Sequence, residues 1–358
     1  MTFIEDLIAA IGVVLNGIPQ GILAMTLGFA VFPTTFSFIF ASAVNGIFHS
    51  VAPLSFQAES LAITGDIGKT HKERISIIFF GSLIMFFIGV SGLLTQIVDF
   101  LGENIISGMM AGVGIMLAKI SLNMVKSDRE IGLVSLITAV FIYLLTKDLV
   151  WTITLSVILA TLYARIKTKY SVDLPEHVTQ RKFVFTKPII NTAVVRGALS
   201  LACLNISANI SYGLLTGQMT GIEPNPVNLN LLTITQSIAD LGTSLLGGAP
   251  VEAVISATGS APNPVLSGIL MMLIMAVILF SGLLPKIGKF VPSSSISGFL
   301  FVLGTFIVFP DNASLAVAGT DSTIGAITLL ITAVVDPFFG LVTGAFFKII
   351  LPILGLGV

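Results

Sequence analysis

The sequence predicts an all-α integral membrane protein of fourteen segments, arranged as seven plus seven in an inverted repeat, and three observations carry that prediction. First, the 358 residues are 55% hydrophobic and only 10% charged, with a mean hydropathy of +1.03. A soluble domain carries about 25% charged residues, so this chain cannot cover a water-facing surface. Second, the stretch 91–108 (SGLLTQIVDFLGENIISG) returns as 281–298 (SGLLPKIGKFVPSSSISG). Ser91, Gly92, Leu93, Leu94, Ile97, Phe100, Ile106, Ser107 and Gly108 recur as Ser281, Gly282, Leu283, Leu284, Ile287, Phe290, Ile296, Ser297 and Gly298, and Gly114 recurs as Gly304, all at an offset of 190 residues. Ten identities in one ungapped register mark an internal duplication. Third, both halves carry a conspicuously short apolar segment in the third place.

The apolar runs of the first half are 7–29, 31–48, 53–64, 75–98, 105–125, 131–146 and 149–164. Most approach the ~20 residues that a helix needs to cross a bilayer, whereas 53–64 is too short to do so. The first run lacks the basic flank of a cleavable signal peptide, so it reads as a retained span. A polar linker follows at 165–187, with six Lys or Arg. The second half offers 193–216, 230–247, the short 250–258, 266–284, 293–309, 322–335 and 338–351. The expected division is thus 1–164 for the first repeat, 165–187 for the linker and 188–358 for the second repeat. An odd number of crossings per repeat sets the copies in opposite orientations. The loops after odd-numbered segments hold most of the Lys and Arg. The positive-inside rule then puts those loops in the cytoplasm and both termini outside.

Polar residues inside apolar runs are costly and mark candidate function. Asn16 and Gln20 in the first segment, and Asn205 and Asn209 in the eighth, are amides four residues apart on one helix face. They line a cavity or hold helices together by hydrogen bonds, and the residues alone leave both open. The short segments read PLSFQAES (53–60) and PVEAVISA (250–257). Alignment of Pro53 with Pro250 sets Ser55 opposite Glu252, and Glu59 opposite Ser256. Proline suits the first turn of a helix. Two half-helices starting near mid-membrane in opposite directions would aim their positive ends at one site.

Glu59 would then accept hydrogen bonds from a substrate or carry a coupling proton. Glu252 is read in the first turn of its half-helix, where a carboxylate also serves the dipole. Gln57 is the weaker candidate beside them, and Gln236 and Asp240 are equally readable as packing groups. Cys203 is the lone cysteine, so no internal disulfide is possible. Three histidines supply no metal cluster, no enzyme motif is present and no cofactor is implied. The net charge of −1 argues against a nucleic-acid partner.

The seven-plus-seven plan with short third and tenth segments resembles the uracil-permease-like fold, shared by nucleobase–ascorbate transporters, AzgA-like purine permeases and sulfate permeases. GLLPKIGKFVPSSSISGFLFVLGTFIV (282–308) looks like the nucleobase–ascorbate pattern, and ADLGTSLLGGAPVEAVISATG (239–259) like the stretch through helix ten. The ending SATG is similar to the Glu-Ser-Ala-Ala-Gly of AzgA-like permeases, but Ile255 stands where that motif has its Glu, and the nearest acid is Glu252. Asn205 and Asn209 stand on helix eight, where the nucleobase carriers place a carboxylate.

The resemblance implies short strand-plus-helix elements at segments three and ten. It also implies an elevator mechanism in which a core (about 1–98 and 188–285) moves against a gate (about 99–164 and 286–358), and a homodimer in the plasma membrane among lipid. The function so implied is a proton-coupled permease for a nucleobase of the purine class; the alternative is a sulfate- or molybdate-type anion transporter. Substrate contacts would fall to Glu59, Glu252, Ser256, Asn205, Asn209, Gln20, Asn16, Ser55 and Gln57, and proton coupling to Glu59 and Glu252.

Overall fold

The computed structural model describes residues 2–168 and 175–353. Its order is α1 (Thr2–Thr26), α2 (Val31–Phe48), β1 (Leu54–Ser55), α3 (Ala58–Ile67), α4 (His71–Ser91), α5 (Leu93–Leu101), α6 (Glu103–Ser127), α7 (Arg129–Thr146) and α8 (Leu149–Thr168). After the one-turn α9 (Glu176–Thr179) come α10 (Thr192–Gln218), α11 (Leu229–Leu245), β2 (Glu252–Ala253), a 3₁₀ turn (Ala257–Ser260), α12 (Pro264–Phe280) and α13 (Leu283–Gly288). A continuous helical span, 293–316, opens with a 3₁₀ turn, then runs as α14 (Ser297–Val302), a π turn (Leu303–Val308) and α15 (Phe309–Ala316). The chain closes with α16 (Ser322–Val334) and α17 (Pro337–Ile353). Among the described residues, seven helices are long and apolar enough to cross a membrane, and the shorter α12, α16 and α17 are apolar as well. The chain is a multi-pass membrane protein with an inverted repeat.

The 190-residue echo has a physical meaning at three levels. The fourth and eleventh runs, expected at 75–98 and 266–284, are each broken by a glycine. Gly92 (φ 69°) and Gly282 (φ 68°) sit in the left-handed region that favours glycine, stop α4 and α12, and turn the chain into the short α5 and α13. Gly114 and Gly304 meet each other: a Cβ on Gly304 would overlap the Gly114 carbonyl oxygen, and one on Gly114 would lie 2.8 Å from the Gly304 carbonyl oxygen. Gly108 abuts the Gly325 carbonyl, while Gly298 abuts that of Ser135. Because 108 and 298, and 135 and 325, are both 190 apart, these two contacts are copies related by the repeat. Small residues let α6 approach α16 and the π turn, and let α14 approach α7, as membrane interfaces do.

Hydroxyls fasten the same seam. Ser135 Oγ donates to the Ser295 carbonyl at 2.6 Å and accepts from the Gly298 N–H at 2.9 Å. Ser135→Ala would strand both buried groups, at about 1–3 kcal/mol, and is expected to lower the melting temperature of the purified protein; an unchanged melting temperature would show the pairing to be idle.

Three expectations need correction. Segment ten is not a helix that starts at Pro250: β2 is followed only by a four-residue 3₁₀ turn, because Gly259, Pro262 and Pro264 prevent the turn from propagating. Glu252 therefore lies in a strand, not in a helical first turn. Pro53 likewise precedes β1, and α3 begins only at Ala58 with Gln57 as its N-cap. The polar linker starts later than 165, since α8 continues to Thr168. Its residues 169–174 lie outside the described residues. The remainder is docked, with Val178 buried, Thr186 N–H on the Leu245 carbonyl (2.8 Å) and Ile189 N–H on Ser76 Oγ (2.9 Å).

Candidate functional site

β1 and β2 pair antiparallel, with Leu54 facing Ala253 and Ser55 facing Glu252. The two short segments of the repeat thus meet inside the protein, as the mid-membrane reading required. Their backbones leave the helices early because the flanking loops are held in place. Asn45 Nδ2 donates to the Ala52 carbonyl (2.9 Å), Asp240 Oδ1 accepts the Val251 N–H (2.8 Å), and Thr34 Oγ1 accepts the Ala249 N–H (2.9 Å). Gln57 Nε2 donates to the Ala253 carbonyl at 3.2 Å and ties the start of α3 to β2.

Beside this crossing lies a cavity of about 770 Å³, large enough for a small organic solute. Asn16, Gln20, Gln57, Glu59, Tyr212 and Val254 form its inner wall, and α6, α8 and residues 303–315 form the opposite wall. Four of the nine sequence candidates therefore share one cavity: Asn16, Gln20, Gln57 and Glu59. Glu59 is the second residue of α3, so its carboxylate sits where the positive end of that helix reaches the cavity. One of its oxygens accepts the Tyr212 hydroxyl at 3.1 Å, while Oε2 is buried with no partner among the described residues. Gln20 makes only long contacts to Asn16 (3.4 Å), and its Oε1 is unpartnered too. Acceptor oxygens dominate this wall.

The mouth is acidic as well. Asp99, Glu103 and Asp311 line it, and among the described residues no Lys or Arg lines the cavity. The mouth lies at the face where residues 99–103, 149, 218 and 311–315 gather. That is the face opposite Lys69–Arg74 and the linker.

The other five candidates are not on the cavity wall. Glu252 is fully buried behind it, beside Glu59, Asp240 and Ser60. Ser55 is its strand partner, buried, with a hydroxyl that has no hydrogen-bond partner among the described residues. Ser256 caps the 3₁₀ turn, accepting the Thr258 N–H at 3.3 Å. Asn209 donates to Thr233 Oγ1 at 3.2 Å and so holds α10 to α11. Asn205 is buried with its Oδ1 unpartnered.

Sequence reasoning missed Tyr212 and Thr216. They continue the face of Asn205 and Asn209 at helical spacing, 205, 209, 212 and 216, which is the pattern that could have found them. Thr216 Oγ1 donates to the Val254 carbonyl (2.9 Å) and accepts the Ser256 N–H (3.1 Å), so this face of α10 carries the backbone of the tenth segment.

No family model and no curated protein sequence matches the chain. Solved structures do. The transmembrane domain of a cyanobacterium bicarbonate transporter, BicA, superposes with a TM-score of 0.70 over 96% of this chain and 97% of that one, at 14% identity. The murine anion transporter Slc26a9, in the inward-facing state, gives a TM-score of 0.71 over 98% of this chain and 68% of its own, and a further SLC26A9 structure gives 0.73 over 99% and 66%, each at 14% identity. The chain shares its fold with these transmembrane domains. That is the architecture implied by the resemblance to the uracil-permease-like fold; the matches do not single out its nucleobase–ascorbate or AzgA-like branch.

Proposed function

We propose that this protein is a secondary transporter that carries a small polar solute at the Glu59 cavity by alternating access. An elevator movement of a core (1–98 and 188–285) against a gate (99–164 and 286–358) is the form we propose, and what supports it is that α1, α3 and α10 line one wall of the cavity while α6, α8 and residues 303–315 line the other. Solute held at such a seam changes its exposed side when one domain slides past the other. By the charge bias of the loops, the cavity mouth faces the outside.

Two substrate classes compete, and different observations favour each. The neighbours whose names state a cargo move bicarbonate or anions, so the comparisons favour the anion reading over the nucleobase one. The cavity favours a solute that offers N–H donors, as an uncharged nucleobase does. The positive end of α3 is already matched by Glu59, the wall presents unpartnered amide and carboxylate oxygens, and three acids stand at the mouth. The carrying observation is the free Glu59 oxygen in a cavity without a basic side chain. On geometry we take the nucleobase class as the first reading and an anion as the second.

Proton coupling fits either reading, because Glu59 and Glu252 are buried near one another without a basic partner, a pair that is stable only with positive charge brought to it. Glu252→Gln is expected to remove the dependence of uptake on a proton gradient while leaving solute binding intact, since Glu252 is off the cavity wall.

The test is uptake into proteoliposomes of labelled purines, bicarbonate and sulfate, each with and without an imposed proton gradient. Saturable purine uptake supports the first reading. Saturable bicarbonate or sulfate uptake without purine uptake replaces it with the second.

A further inference from the structure

A second cavity, of about 390 Å³, opens on the outer surface between α1, α8 and the α13 region. Leu15, Ile18 and Ile22 of α1 form one side, Val157 and Ile158 of α8 the other, and Phe290 with Arg165 closes one end. The wall is mostly apolar, broken on the α8 side by the hydroxyls of Thr154 and Thr161. The α8 side runs from Thr154 to Arg165, which at ~1.5 Å per residue is about 16 Å. That is close to one leaflet of a hydrocarbon core roughly 30 Å thick.

The closed end is charged. Arg165 is exposed, its guanidinium lies 4.0 Å from the centre of the Phe290 ring, and it makes no ion pair among the described residues. Lys286 and Lys289 are exposed on the same turn as Phe290. Neither α1 beyond Asp6, nor α8, nor the whole of 253–310 contains an Asp or Glu to neutralise them. The nearby Lys167 is by contrast already paired with Glu130. A mostly apolar slot one leaflet deep, ending in cations that have no ion pair among the described residues and lie at the level of the basic loops, has the shape and charge of a lipid seat.

We propose that this groove binds one anionic phospholipid, with an acyl chain along α1 and α8 and its phosphate on Arg165. The ring beneath the guanidinium fixes the plane of the fork, and a phosphate accepts two parallel N–H bonds from it. Lys286 and Lys289 add attraction for an anionic surface. On the transport reading above, the groove lies at the seam between core and gate, so a resident lipid would fill the space past which α1 slides. The binding claim itself does not rest on that reading, because it is measured on the purified protein without any solute.

The experiment is native mass spectrometry, with thermal unfolding, of the detergent-purified chain offered phosphatidylglycerol, phosphatidylcholine or glycerol 3-phosphate. Phosphatidylglycerol is expected to be retained about tenfold better than phosphatidylcholine, which offers the same phosphate but adds a choline cation that Arg165, Lys286 and Lys289 repel. Arg165→Ala is expected to erase that preference without changing the unfolding temperature of the lipid-free protein. Ile158→Trp, at a half-exposed position on the groove wall, is expected to lower retention of both lipids. Equal retention of the two lipids by the unaltered protein, an unchanged preference in Arg165→Ala, or stabilisation by glycerol 3-phosphate equal to that by the lipid would each overturn the proposal.

Discussion

Glu59→Gln is expected to abolish measurable uptake and to weaken solute binding by about 10- to 100-fold, that is about 1.4–2.7 kcal/mol, through loss of a carboxyl oxygen that accepts from the solute. The substitution keeps the volume of the side chain and leaves an oxygen for the Tyr212 hydroxyl. It replaces the free carboxyl oxygen Oε2 at the cavity wall with an amide nitrogen, which neither accepts a solute N–H nor takes up a proton. Folding should survive, because burying an amide in place of an unpaired carboxylate is no harder. Tyr212→Phe is the informative companion. It removes the group that orients Glu59 but not the acceptor, so a smaller loss, about 10-fold or less, is expected. Binding measured by calorimetry on both variants checks the pair. Undiminished uptake by Glu59→Gln would remove Glu59 from the site.

Gly304→Leu is expected to prevent assembly of a stable protein. Its Cβ would strike the carbonyl oxygen of Gly114, a backbone atom on the packed face of α6 that cannot rotate away as a side chain could. Overpacking of this kind costs ~1–3 kcal/mol where neighbours can shift, and more where they cannot. Gly114→Leu should fail similarly, since the contact is reciprocal. Gly319→Leu is no substitute control, because Gly319 has a positive φ; Gly12→Leu is the better one, with open space around its Cβ and an ordinary backbone. Size-exclusion profiles in detergent report the outcome: aggregation for Gly304→Leu and Gly114→Leu, a single symmetric peak for Gly12→Leu. A well-behaved Gly304→Leu would mean that the two halves do not meet at this point.

These glycines also show how far the sequence could be read. The 190-residue register was visible in plain identities, and it holds in space down to individual contacts, from the paired turns at Gly92 and Gly282 to the mutual approach of Gly114 and Gly304. What it could not convey was that the repeat marks helix stops: the apolar run continues past Ser91 and Ser281, and only the backbone angle of the following glycine reveals the break. At the short segments, Pro250 looked like a helix start, and so Glu252 was set in a first turn. Tertiary pairing with β1 won instead, with glycine and prolines downstream leaving too little uninterrupted chain for an α-helix.

The candidate site was legible where a polar group stood alone in an apolar run, as Glu59, Gln20 and Asn16 do. It was hidden where the functional atom belongs to a residue that is ordinary in membrane helices. Tyr212 reads as an aromatic core residue until its hydroxyl is seen on Glu59. Asn209 carries the same amide, yet that amide is spent on Thr233 between α10 and α11, away from the cavity. Residue type alone does not separate a cavity-lining amide from an interhelical one; the partner decides.

Alternating access at the Glu59 cavity is the central claim, and Ile255 is placed to test it. Its side chain is 42% exposed and lines the cavity next to Val254. The only native cysteine, Cys203, is replaced by Ala, and Ile255→Cys is probed in sealed vesicles with a membrane-impermeant thiol reagent applied to one side at a time. The account predicts labelling from each side in turn, slowed from both by the transported solute. Labelling from one side only, whatever solute is present, would contradict it.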